Sequence, residues 1–215
     1  MDWLLHNREK FLSTWYNFNV PVFFVLLCFL YIALLLLKRW FIIDSIAAFE
    51  ILQERGEFWV VDLLLGLEYL SVPFFLIWKF LFTTFLLWIG CFMFGYRLTF
   101  AMLWKWVMFA ELIFLLPEAL KVVWFTTWAP EPDFNEYRAF YPLSLMNFFD
   151  FRELPGRWHY PFKTLNVFEA LYTFSLIAGV FVLSGKKYSI STYVVLSSYV
   201  LGMVCWLAFY LIVYG

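Results

Sequence analysis

Residues 97–128, RLTFAMLWKWVMFAELIFLLPEALKVVWFTTW, decide the fold class. Lys105 and Lys121 stand 16 residues apart, about 24 Å along a helix axis. Trp104 and Trp106 mark one end of the stretch and Trp124 and Trp128 the other, as aromatic belts mark the two faces of a bilayer. Between them runs an apolar segment interrupted by Glu111, Pro117 and Glu118. An isolated carboxylate in hydrocarbon costs at least about 2.5 kcal/mol, so Glu111 is expected to face protein. The reading is an all-α, polytopic membrane protein with a buried polar contact.

Composition agrees with that class. Of 215 residues, 65% are hydrophobic and 14% charged, and the mean hydropathy is +0.81. Soluble domains carry about a quarter of charged residues, so most of this chain belongs in lipid. A net charge of −1 gives no reason to expect a nucleic-acid partner. The 29 Phe and 12 Trp read as lipid-facing and interfacial residues rather than as cofactor stacking. Cys28, Cys91 and Cys205 each sit in an apolar run and read as small hydrophobes. His6 and His159 have no second ligand at metal spacing, so neither metal nor cofactor is expected.

Outward from the opening stretch, the sequence predicts about five spans and a set of interfacial helices. Residues 1–19 read as an interfacial segment, without the charged start and cleavage site of a signal peptide. Residues 20–42 form span 1, stopped by Lys38 and Arg39. Over residues 44–72 the sequence predicts an amphipathic helix followed by a partly buried one. Glu50, Gln53, Glu54 and Glu57 make one polar stripe, and Asp62 and Glu68 make lipid exposure costly. Pro73 is expected to divide this from span 2 at 74–94, unless the shorter piece crosses by itself and makes six spans. Span 3 covers 98–128. Residues 129–164 hold five prolines and alternating charges, and read as an ordered polar loop with up to two helical turns at 143–149. Spans 4 and 5 are expected at 165–183 and 190–214.

Ser175 and Gly179 are four apart in one of these spans, and Ser198 and Gly202 in the next. Small residues at that spacing let membrane helices approach closely, which predicts a packed hairpin. Glu111 and Glu118 are seven apart and so share a helix face. They are candidates to relay protons or hold a cation, or simply to pair with Lys79, Lys105 or Lys121. The candidate intramembrane polar contacts are therefore Lys79, Glu111 and Glu118.

The order of features over residues 95–215 resembles the Yip family of five-span membrane proteins. An Arg-Leu-Thr-Phe entry leads through an acid to Leu115-Leu116-Pro117. After a loop come Leu165-Asn166-Val167-Phe168-Glu169, an apolar span ending in glycine, a basic turn and a final span. Eukaryotic members act with Rab GTPases through a long cytosolic region. Here 19 residues precede Val20, so the resemblance implies architecture and a short bacterial-type member in a cytoplasmic membrane. It also favours an inside amino terminus.

No GxSxG, HExxH or glycine-rich phosphate loop is present, so no enzyme is expected. The function read from the sequence is a non-catalytic accessory or scaffolding subunit of a larger membrane complex. Its expected partners are lipids and other integral membrane proteins, with a homo-oligomer allowed. The competing reading is a proton- or ion-coupled transport component centred on Glu111.

Overall fold

The structure is a computed structural model and describes residues 16–42, 58–129 and 134–214. The interfacial segment expected before residue 16 and the stripe at Glu50, Gln53, Glu54 and Glu57 lie outside the described residues. The described residues are 82% helical and contain no strand. One isolated bridge joins Ser144 to Asn166.

Helix α1 runs Val20–Phe41, α2 Phe58–Met93, α3 Phe100–Ala110 and α4 Leu112–Thr127. Short helices α5, Phe134–Ala139, and α6, Gly156–Thr164, follow. Then come α7, Val167–Ser184, α8, Tyr188–Val195, and α9, Leu201–Val213, with a π turn at Leu196–Val200 between the last two. Among the described residues, four helical stretches are long and apolar enough to cross a membrane: Val20–Phe41, Asp62–Met93, Val167–Ser184 and Tyr188–Val213. Their outward faces are apolar, as at Phe29, Phe74 and Phe92, which suits hydrocarbon as solvent. The chain is a helical, multi-pass membrane protein.

Two expectations from sequence need correction. Residues 58–94 are not divided at Pro73, because α2 carries the proline inside one helix of 36 residues. Proline removes one intrahelical hydrogen bond, and transmembrane helices tolerate that where neighbours re-satisfy the backbone. Residues 98–128, conversely, are not one helix. Glu111 stands in a single-residue turn between α3 and α4, with helical angles of φ −59° and ψ −25°, while Pro117 is carried within α4. The interruption falls at the buried acid, six residues before the proline that the sequence offered as a breaker.

The chain forms two compact units. One comprises Met1–Val25, Ile77–Ile113 and Glu169–Gly215, the other Leu26–Leu76 and Phe114–Phe168. In the first, Phe80 is fully buried and meets Phe24 and Trp104 edge-on, at ring distances of 6.4 and 5.9 Å. The Trp106 indole lies across α7 and donates to the Ser175 carbonyl at 2.8 Å. In the second unit, buried Phe125 packs on Tyr137 and Phe140, and Trp124 stacks on Phe140 at 5.2 Å.

The expected ordered loop of 129–164 contains α5, α6 and a 3-10 turn at Leu145–Phe148, one turn rather than two. Two backbone bonds clamp its middle to the start of α7, Leu145 N–H to the Leu165 carbonyl and Val167 N–H to that of Leu143. Leu143 sits at φ +52°, a left-handed conformation that costs a branched residue about 1–2 kcal/mol. The clamp holds it there.

Candidate functional site

The first unit contains a buried polar cluster assembled from four elements. Glu111, in the turn after α3, is 1% exposed, and its Oε1 accepts from Lys79 Nζ of α2 at 2.8 Å. The same ammonium lies 5.8 Å from the centre of the Tyr172 ring, a cation–π distance. Tyr172, on α7, is fully buried and meets Tyr199 edge-on at 5.6 Å. The Tyr199 hydroxyl donates to Glu169 in the first turn of α7.

Local sequence spacing explains the convergence. Lys79 and the buried Thr83 are four apart on α2, and Glu169 and Tyr172 are three apart on α7, so each pair shares a helix face. Tyr199 belongs to the π turn. Such a turn adds a residue to the helical circuit and re-aims the side chains it holds, which is why π turns recur at functional sites. The cluster holds two carboxylates, one ammonium and two phenols.

The second unit holds a separate set. Lys38, 9% exposed at the end of α1, is paired with Glu118 of α4, and Arg39 is paired with Asp62 of α2. Lys38, Glu118, Glu68, Tyr31 and Ser71 help line a cavity of about 320 Å³. Lys121 donates to the Tyr137 carbonyl at 2.7 Å and stands 4.0 Å over its ring. Burial pushes the Tyr137 phenol up to about 12, with a lesser push from the charge of Glu68. Burial also lowers the Lys163 ammonium, and the neighbouring Arg138 adds to that. A further cavity of about 600 Å³ opens on the loop, lined by Trp124, Phe140, Phe149, Glu136, Asp150 and Arg152.

Of the candidate polar contacts, Lys79 and Glu111 are brought together and Glu118 is not one of their group. Glu118 pairs with Lys38, and Glu111, whose backbone angles stay helical, pairs with Lys79.

The four small residues do make close helix contacts, but not with each other. A Cβ on Gly179 would come within 2.2 Å of the Trp106 indole nitrogen, and one on Gly202 within 2.8 Å of Leu86. Ser198 Cβ lies 2.7 Å from where a Gly90 Cβ would stand. Ser198 and Gly202 therefore face Leu86 and Gly90 of α2, while Ser175 and Gly179 take the indole. The α7 and α8–α9 segments meet through aromatic pairs, Tyr172 with Tyr199 and Phe181 with Tyr188.

Sequence reasoning missed Glu169, Tyr172 and Tyr199 as members of the site, and Lys38 as the partner of Glu118. Glu169 stands at the start of an apolar helix and reads as an interfacial acid. Lys38 reads as a stop to a span. The available signal was the three-residue step from Glu169 to Tyr172, which a helix turns into a single face.

Among the described residues, no three His, Cys, Asp or Glu side chains are grouped to hold a metal. No family model, curated protein or solved structure matches the chain.

Proposed function

We propose that this protein is a non-catalytic subunit of a larger membrane assembly, with its partner seated on the segment that follows α4. The observation that carries the reading is the clamped, folded loop with its open cavity of about 600 Å³, walled by stacked aromatics and edged by Glu136, Asp150 and Arg152. Aromatic and arginine side chains in a preformed concavity suit protein recognition. On this reading α3 and α4 together make a fifth crossing. The Yip-like order of features over residues 95–215 supports that architecture and a place in a bacterial cytoplasmic membrane.

A photo-crosslinking residue in place of Asn147, which lines the cavity, tests it in intact membranes. One discrete adduct with another integral membrane protein is expected, lost when Trp124→Ala disrupts the aromatic wall. Labelling spread over many proteins, or a partner-free monomer in nanodiscs from gently extracted membranes, overturns it.

A second reading rests on a different observation. The Lys79, Glu111, Glu169, Tyr172 and Tyr199 cluster joins two acids to an ammonium and two phenols. Intramembrane acids linked to other polar groups mark proton pathways, which suits a proton-coupled component. Proteoliposomes carrying a pH-sensitive dye should then show a proton leak that Glu169→Gln abolishes. Equal leaks from both proteins would remove this reading.

A further inference from the structure

We propose that the two connections at residues 95–98 and 184–187 together form a binding site for a phosphate-bearing anion. They line one cavity of about 360 Å³, with Tyr96, Arg97, Met102, Leu183, Ser184 and Lys186 among its walls. Each connection reverses the chain through a glycine at positive φ, Gly95 at +71° and Gly185 at +65°. The left-handed turns bring amides back onto the preceding carbonyls. Gly95 and Tyr96 N–H bond to Phe92 and Cys91, and Gly185 N–H bonds to Phe181. The negative ends of α2 and α7 are thus capped.

At the positive end of α3 the Thr99 hydroxyl accepts from the Met102 N–H, whereas α8 has no side-chain cap. Helix α3 starts directly after Thr99 and α8 directly after Lys187, and Met102 in the first turn of α3 lines the cavity. Both helices carry no acid in their first turn. Helix N-termini attract anions through their dipole and their spare amides.

Side-chain charge has the same sign. Arg97, Lys186 and Lys187 stand in the two connections, and neither residues 69–110 nor residues 170–215 contain an Asp or Glu. Lys186 Nζ donates to the Gly95 carbonyl at 3.2 Å and lies 4.7 Å over the Tyr96 ring. An ammonium has three donors, so that contact fixes its position while leaving donors for a ligand. Tyr96 is 5% exposed, and its buried hydroxyl has no hydrogen-bond partner among the described residues. Two cations and the N-terminus of α3 around one cavity, with the orphaned hydroxyl on a residue that lines it, suit a phosphate oxygen cluster. Basic pockets between membrane helices take lipid phosphates in this manner, and inorganic phosphate offers the same oxygens.

The test uses the full chain in nanodiscs of phosphatidylcholine alone and of an equal mixture with phosphatidylglycerol, with co-purifying lipid counted by native mass spectrometry. Phosphatidylglycerol should be retained in preference to phosphatidylcholine. Arg97→Gln with Lys186→Gln should cut that retention about tenfold or more, while Lys105→Gln leaves it unchanged. Inorganic phosphate added to the phosphatidylcholine discs distinguishes the sources. A rise in melting midpoint that the double variant lacks, with no lipid preference, assigns the same site to soluble phosphate. Should the double variant fail to fold, Arg97→Lys with Lys186→Arg retains the charge and should keep the preference, and Tyr96→Phe should weaken it. Equal retention of both lipids with no response to phosphate overturns the proposal, as does a folded double variant that binds like the parent.

Discussion

Lys79 and Glu111 illustrate how a single buried pair constrains a membrane helix. Removing one partner leaves a charge facing low dielectric, which costs about 3–5 kcal/mol, whereas replacing both by apolar residues of similar size is often close to neutral. Lys79 retains some exposure, its side chain being 25% accessible against 1% for Glu111, so the lower end of that range applies to losing Glu111. Glu111→Leu should therefore unfold about 3 kcal/mol more easily, and Lys79→Met combined with Glu111→Leu should recover most of the loss. A double-mutant cycle in nanodiscs, by denaturant or steric-trapping measurements, reads the coupling directly. Additive single effects would show the two side chains are not energetically paired. Tyr199→Phe removes one hydrogen bond to Glu169 and should cost about 1–2 kcal/mol in the same assay.

At the scale of helices, the glycines divide into those that are crowded and those that are not. A Cβ at Gly179 or Gly202 meets Trp106 or Leu86 closer than real Cβ atoms come, whereas Gly66 has nothing within 4 Å. Overpacking costs roughly 1–3 kcal/mol in compact cores. Gly179→Leu and Gly202→Leu should lower the melting midpoint, and Gly66→Leu should raise it slightly, because glycine inside a helix is about 1 kcal/mol worse than better helix formers. Trp106→Leu should partly rescue Gly179→Leu, since the obstruction is an indole. Equal tolerance at all three positions would contradict the close approaches.

These contacts also show what the sequence could tell. The small-residue steps Ser175–Gly179 and Ser198–Gly202 announced close packing, but a spacing of four names only one side of a contact. The indole of Trp106 and the Leu86–Gly90 face became partners through the arrangement of α2, α3 and α7, which no local pattern encodes. In the same way, Pro73 suggested a break that the helix does not make, while the turn at Glu111 had no breaker residue to announce it. Apolar length is a property of a segment against its solvent, and that was legible, whereas Trp106, read as part of an interfacial belt, is buried against α7.

For the molecule as a whole, the inside amino terminus that the resemblance favours can be tested through the loop. Arg97, Lys186 and Lys187 lie in short connections, where the positive-inside rule acts most strongly, and the basic residues of 129–164 lie in a long one, where it counts less. The loop is thereby expected outside. Phe148 is 83% exposed within it, so Phe148→Cys, in a background lacking the native cysteines, should react with an impermeant maleimide in intact cells. Lys187→Cys should react only after permeabilisation. The reverse pattern would place the loop, and any partner seated on it, in the cytoplasm.

The continuity of α2 through Pro73 has a further physical consequence. Its candidate span Asp62–Met93 holds 32 residues, about 48 Å of helix. A hydrocarbon core is about 30 Å thick. Even the steepest tilts usual for such helices, about 40°, project that length onto about 37 Å. The bilayer must then thicken locally, or the helix must hold about two turns outside the core, as Asp62 and Glu68 at its start favour. Bilayer thickness becomes a variable of the protein's own energetics. Thicker bilayers should raise its melting midpoint and thin ones lower it, and where a cell has membranes of several thicknesses the helix carries a preference for the thickest.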